Sequence, residues 1–417
     1  MNILVLASNV PVTPSMPGSP RLFYFCKLLA KHNRLHLMYL KKTEELSSWF
    51  RSEIDGADIF ETIEEWPVLS CGNWWDRQWH RIHQVASLVS KYSNPAYHRA
   101  TADMVKRFLE VSGAALVYVD GLEMMQYLPE DNRLPIILDA CDCLSLLVRR
   151  QAQNEARLTK RLLLYLESLS LERYEKWAAR MATRIAAISS NDAKSFKQNV
   201  PTANLAVIPH GIDTEYFRPL DANKCGCRVV FTGVMSYGPN SDAALYFCKS
   251  ILPLIKERIP GVEVWIIGQN PPSEVQALHD GTSLVVTGTV RDVRPHIAEA
   301  SVYVCPLRWG TGVKNKILTA MAMKIPVVAT SISMEGIEAV AGKDIVIADT
   351  AEKFAEEVVN LLENRDRQIQ LAESAYNLVK EKYSWKTVAT AFVDLVEEVS
   401  EVNSQSQLAR GTGSLEA

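Results

Sequence analysis

Between Gly310 and Thr319 the chain reads GTGVKNKILT, a run with the residue types needed to hold a phosphate. Gly310 and Gly312 allow close backbone approach, and Lys314, Asn315 and Lys316 fall where a helix is expected to begin. Free N–H groups, the positive end of a helix dipole and a lysine cation would then converge on one point. Ile317, Leu318, Ala320, Met321 and Met323 follow at helical spacing and give that helix a face to bury. Apolar, β-rich runs flank the stretch at 301–306 and 326–329, so it reads as a strand, a ligand-holding loop, a helix and a strand.

The rest of the chain repeats this rhythm. Strands are expected at 2–7, 35–40, 57–63, 114–119, 135–139, 184–189 and 205–209. The Pro- and Gly-rich loop 9–20 precedes a helical run at 21–31, and one long helical segment with many Arg and Lys spans 144–181. After the turn at Pro209, His210 and Gly211 the pattern restarts with a strand at 228–233, a loop at 234–240 and a helix for which Ser241 is the natural N-cap. Further strands are expected at 262–267, 284–287, 301–305, 326–329 and 344–347, then helices at 352–362, 365–381 and 385–402. Two doubly wound α/β halves result, 1–208 and 209–384. The helix near 385–402 is expected to return to the first half, and the polar tail 403–417 to be disordered.

Bulk properties fit that division. At 417 residues the chain exceeds one ordinary core, and 47% hydrophobic with 22% charged residues suits a globular protein. A net charge of -3 argues against a dedicated nucleic-acid binder. The charge is uneven: residues 1–209 carry 25 Lys+Arg against 22 Asp+Glu, and the remainder 20 against 26. The first half is therefore the one to meet an anionic surface. No apolar run reaches the length of a membrane span, so a cytoplasmic or membrane-peripheral location is expected. Cys141 with Cys143 and Cys225 with Cys227 lack partners at zinc spacing, and the eight histidines show no ligand motif. Reduced thiols and no metal cofactor are expected.

The segments FTGVMSYGPN from Phe231, IIGQNPP from Ile266, VVTGTV from Val285 and GTGVKNKILTAMAMKIPVVAT from Gly310 resemble the donor-binding half of the retaining GT-B glycosyltransferases (glycosyltransferase group 1, family 4-like). Within them, the branch with a G-x-G-x-K-x-K donor loop is the more similar. The resemblance implies two Rossmann-like domains with parallel sheets facing across a cleft that takes a UDP- or GDP-linked sugar. It implies that Gly233 admits the diphosphate, that Gly288, Thr289 and Val290 lie along the nucleobase, and that Lys316 faces the diphosphate with help from Arg308. Thr311 and Gly312 open the family's E-x7-E element, and Thr319 stands where most relatives have the ribose-gripping glutamate. Asn315 and His210 would line the donor site.

In the amino-terminal half, Gly18, Ser19 and Arg21 match the family's Gly-rich first loop over the sugar and diphosphate. Asp139 and Asp142 end a strand where relatives place the acid nearest the reacting sugar; one of them could orient the acceptor hydroxyl, or cap the helix beginning near Leu144. The run 73–92, with Trp74, Trp75, Trp79, Arg77, His80, Arg81 and His83, suits a membrane interface, a sugar-stacking surface or an ordinary core. The expected activity is transfer to a glycan, lipid-linked or protein acceptor, as in polysaccharide biosynthesis. Because Thr319 replaces an acid, a nucleotide-binding or scaffolding pseudo-enzyme stays open as the alternative.

Overall fold

The structure, a computed structural model, describes residues 1–12, 20–41, 44–54, 58–67, 95–129, 131–141, 143–221, 226–310 and 312–412. It divides into two units, one of Met1–Ile208 with Val388–Ala417 and one of Pro209–Thr387.

The first unit is built on strands β1 (Asn2–Ala7), β2 (Arg34–Lys41), β3 (Thr62–Pro67), β4 (Leu116–Asp120), β5 (Ile136–Cys141), β6 (Arg184–Ala187) and β7 (Leu205–Val207). They form a parallel sheet in the order β3-β2-β1-β4-β5-β6-β7. β1 is buried along almost its whole length, as expected of a strand with helices on both faces. The last helix, Trp385–Thr412, supplies Phe392 to this core, where its ring stacks on Phe25 at 4.2 Å and tilts against Tyr118 at 4.7 Å. The helix runs ten residues beyond the expected end near Val402, because no breaker precedes Gly411 once the docked part has nucleated it.

Two differences in this unit concern helices. The segment expected as one helix over 144–181 is two, Leu144–Asn154 and Leu158–Met181. The break comes at Glu155, whose carboxylate accepts the Arg157 N–H two residues on, and neither Pro nor Gly marks it. Asp139 does not cap the Leu144–Asn154 helix, since its carboxylate is bonded to Arg21: the first turn is held by Glu175 from the next helix, which accepts from the Ser145 N–H at 3.0 Å, while Asp192 accepts from the Cys143 N–H at 3.1 Å.

The second unit carries β8 (Arg228–Thr232), β9 (Glu263–Ile267), β10 (Leu284–Val286), β11 (Val302–Cys305), β12 (Val327–Ala329) and β13 (Val346–Ile347) in the parallel order β10-β9-β8-β11-β12-β13. The strand order reverses between β8 and β11. Open α/β sheets bind ligands at such a switch point, beyond the carboxyl ends of the strands. The helix after β8 runs Gly238–Tyr246 and starts earlier than expected. Pro239 fits its first turn, and Ser241, rather than capping, donates its hydroxyl to the Met235 carbonyl at 2.7 Å. Where the chain enters and leaves this unit, Ile212 and Ser384 pair as parallel neighbours, with the Ile212 N–H on the Tyr383 carbonyl and the Trp385 N–H on the Ile212 carbonyl. Trp385 lies so close there that a Cβ on Gly211 would stand 2.4 Å from its ring.

Candidate functional site

Three adjacent strands of the second sheet end in glycine: Gly233 after β8, Gly268 after β9 and Gly288 just beyond β10. Hydrogen bonds join them, from the Gly233 N–H to Ile267 and from the Gly268 N–H to Gly288. Gly268 has φ +152°, and a Cβ there would stand 1.7 Å from the Gly233 carbonyl oxygen, so only glycine fits. The strand ends thus form a shelf of bare backbone.

Lys316 lies over this shelf. Its ammonium is 2.8 Å from where a Gly233 Cβ would be, donates to Asn240 Oδ1, and sits 4.7 Å from the centre of the Phe231 ring. Asn240 is fixed in turn by donating to the Val234 carbonyl at 2.9 Å. No carboxylate among the described residues pairs with Lys316, and burial pushes its ammonium down to about 8. The lysine belongs to the first turn of the helix Asn315–Ala322, which has no side-chain cap among the described residues. Its leading N–H groups therefore add positive potential beside the cation.

Around this centre, Gly310 and Gly312 both have positive φ, +136° and +70°. Lys314, itself buried, turns back to the Gly312 carbonyl at 2.5 Å. Asn315 Nδ2 lies 3.2 Å from His210 Nε2, and His210 Nδ1 lies 2.7 Å from the Gly211 carbonyl, a contact that calls for a proton on Nδ1. Asn315 Oδ1 is buried with no hydrogen-bond partner among the described residues. Thr319 is 9% exposed and donates its hydroxyl to the Asn315 carbonyl at 3.0 Å. Thr289 is exposed and Val290 packs on the core behind the glycine shelf. Arg308 does not join Lys316; its guanidinium forks onto Asp242 and lies 4.9 Å from the Tyr246 ring.

The expected residues of the first unit are arranged differently. Asp139 is fully buried and receives a two-pronged bond from Arg21, Nε at 2.8 Å and Nη2 at 3.1 Å, with the Tyr118 hydroxyl at 3.3 Å. Arg21 also donates to the Ile208 carbonyl and lies 4.6 Å from the Phe25 ring. Burial alone would lower the arginine's pKa, but the Asp139 charge beside it holds it raised. Asp139 is therefore a buried structural partner rather than an open carboxylate. Asp120, Asp139 and Cys141 could bring metal-ligand atoms within 4.8 Å of one another, but Arg21 already occupies Asp139. Gly18, Ser19, Asp142, Thr311 and the run 73–92 lie outside the described residues. Sequence reasoning missed Asn240 and Gly268, although a glycine at the end of each of three successive strands was a readable signal for the latter.

Residues 226–364, which hold the glycine shelf, Asn240 and Lys316, match the family described as Glycosyl transferases group 1. Among curated relatives, the chain is 26% identical over 170 residues to an uncharacterized 44.6 kDa protein in the cps region of Klebsiella pneumoniae, covering 39% of this chain and 44% of the relative. It is 27% identical over 221 residues to a GDP-mannose-dependent alpha-(1-6)-phosphatidylinositol monomannoside mannosyltransferase of Mycobacterium tuberculosis, covering 47% of this chain and 56% of the relative. The chain thus spans about half the length of the curated relatives it matches. Solved structures resemble nearly all of it: a sucrose-phosphate synthase from Thermosynechococcus elongatus at 14% identity and TM-score 0.68, covering 96% of this chain and 100% of that one. Anabaena HepE in complex with UDP and glucose gives 12% identity and TM-score 0.64, with 95% and 99% covered. At such identities the likeness shows the fold, two Rossmann-like α/β units of GT-B type.

Proposed function

We propose that this protein is a retaining glycosyltransferase that moves a sugar from a UDP- or GDP-linked donor to a glycan, lipid-linked or protein acceptor. The observation that carries this reading is the Lys316 ammonium, held over the Gly233 backbone at the strand-order switch point and beside an uncapped helix start. Breaking the bond between the sugar's anomeric carbon and the diphosphate loads negative charge onto the diphosphate. A fixed cation and aligned N–H groups stabilise that charge as it develops. In retention, the acceptor hydroxyl forms its bond to the anomeric carbon on the face the diphosphate leaves, and its proton passes to the departing phosphate oxygen. Gly288, Thr289 and Val290 serve the nucleobase, and Asn315 Oδ1 offers a buried acceptor to a donor hydroxyl. The Thr319 oxygen, already donating to Asn315, keeps its lone pairs for a ribose hydroxyl. The reading needs no resident metal. It is supported by the group 1 match over 226–364 and by relatives named for GDP-mannose and solved with UDP.

Thermal-shift measurements with UDP, GDP and their sugars test the site, and NMR of the product's anomeric proton tests retention. Stabilisation by one nucleotide and a product of the donor's own anomeric configuration are expected. No stabilisation by any nucleotide overturns the reading. Stabilisation without transfer or hydrolysis favours a nucleotide-binding scaffold, the outcome that neutral Thr319 in place of an acid would produce.

A further inference from the structure

The helix Leu158–Met181 buries one side, through Ser168, Leu171, Tyr174, Glu175, Ala178 and Ala179. Its other side is also apolar. Leu158 is 77% exposed, Leu162 59% and Tyr165 48%, with half-buried Leu169 completing a stripe spaced at 4, 3 and 4 residues. That spacing sets the four side chains in one line on the outward face. Leu163 and Trp177 extend the exposed apolar surface beside it.

The charges on this face are one-sided. Arg161, Arg173 and Arg180 are exposed and have no ion-pair partner among the described residues. The neighbouring acids are already engaged, Glu155 by Lys160 at 2.5 Å and Glu172 by Arg149 and Lys176 at 2.6 and 2.7 Å. We infer that this face docks on the surface of a bilayer carrying anionic lipid, lying flat with its leucines at the acyl boundary and its arginines among the headgroups. Tyr165 and Trp177, each apolar at one end and polar at the other, suit that depth. A second copy of the same face would bring a second set of uncompensated arginines against the first. The stripe also covers well under the three to four heptads a lasting coiled coil uses. No helix among the described residues is long and apolar enough to cross a membrane, so the contact is peripheral.

Sedimentation of the full chain with vesicles tests this, comparing pure phosphatidylcholine with phosphatidylcholine containing about 30% phosphatidylglycerol, a mimic of an anionic leaflet. The protein should sediment with the anionic vesicles only, and added salt should release it. Partitioning should weaken roughly fivefold for each arginine neutralised in Arg161→Gln, Arg173→Gln and Arg180→Gln. Leu158→Ser with Leu162→Ser should weaken it at unchanged melting temperature, because both side chains already face water. The proposal is overturned if the unaltered protein ignores anionic vesicles, if the serine variant sediments as the parent does, or if that variant halves the solution mass, which would assign the face to a second copy.

Discussion

Each of the two units fixes a cation beside its sheet, and the two cations are treated in opposite ways. Arg21 is buried with a matching carboxylate, an aromatic ring and a carbonyl around it, so its charge is spent inside the fold. Lys316 has a neutral amide and a ring face, and no carboxylate among the described residues. The first arrangement is a fastening; the second leaves a charge that no described acid neutralises, which is what the proposed diphosphate site would use. Chemical type alone does not separate them, since both are basic residues near a glycine-rich loop. What separates them is whether an acid shares the burial.

The largest expected effect breaks the fastening. Asp139→Ala leaves the buried Arg21 guanidinium without this carboxylate, and urea denaturation should show a loss of about 3–5 kcal/mol. The same experiment on Lys316→Met should show no loss and a gain at neutral pH, because no ion pair is lost and a desolvated ammonium is removed; a loss comparable to that of Asp139→Ala would erase the contrast. Gly268→Ala, which drives a methyl into the Gly233 carbonyl, should cost roughly 3 kcal/mol by the same assay. A stability equal to the parent's would mean the strand ends are looser than described.

Smaller effects concern binding. Lys316→Ala should weaken the bound nucleoside diphosphate by about 10- to 100-fold in calorimetry, the worth of a charged hydrogen bond. Because burial sets the Lys316 ammonium near 8 instead of its ordinary 10.5, the cation is fully present only below that pH. Diphosphate affinity should therefore be highest below pH 8 and fall by up to about tenfold per pH unit above it. Since the shift is a depression, the lysine's own effect on folding has the opposite sign: stability rises between pH 8 and 10.5 as the desolvated ammonium is relieved. The alanine variant should lose the pH slope of binding, and retention of that slope would assign it to another group. Thr319→Val should weaken binding by no more than about fivefold, a neutral hydrogen bond's share.

Much of the architecture could be read from the chain because parallel strands buried on both faces are short, apolar and separated by amphipathic helices. The proposed donor loop stood out for a local reason: Gly310, Gly312, Lys314, Asn315 and Lys316 are near neighbours in sequence, and a helix start joins them in space. Asp139 was not, because its meaning depends on Arg21, 118 residues away. The interruption at Glu155 was equally hidden, since a side chain turning onto its own backbone leaves no trace in composition. Asn240, at the start of the Gly238–Tyr246 helix, gained its role only when folding brought Lys316 to it, 76 residues on.

The stacking of Phe392 on Phe25 also bears on how the chain is made. Residues 209–387 form one uninterrupted unit whose ends run side by side, whereas the first unit takes part of its core from beyond residue 388. Emerging from the ribosome, the amino-terminal unit must wait with an uncovered aromatic patch while the whole second unit is synthesised and becomes able to fold. Birth order and completion order are reversed, and the nascent first unit is the one in need of a chaperone's protection.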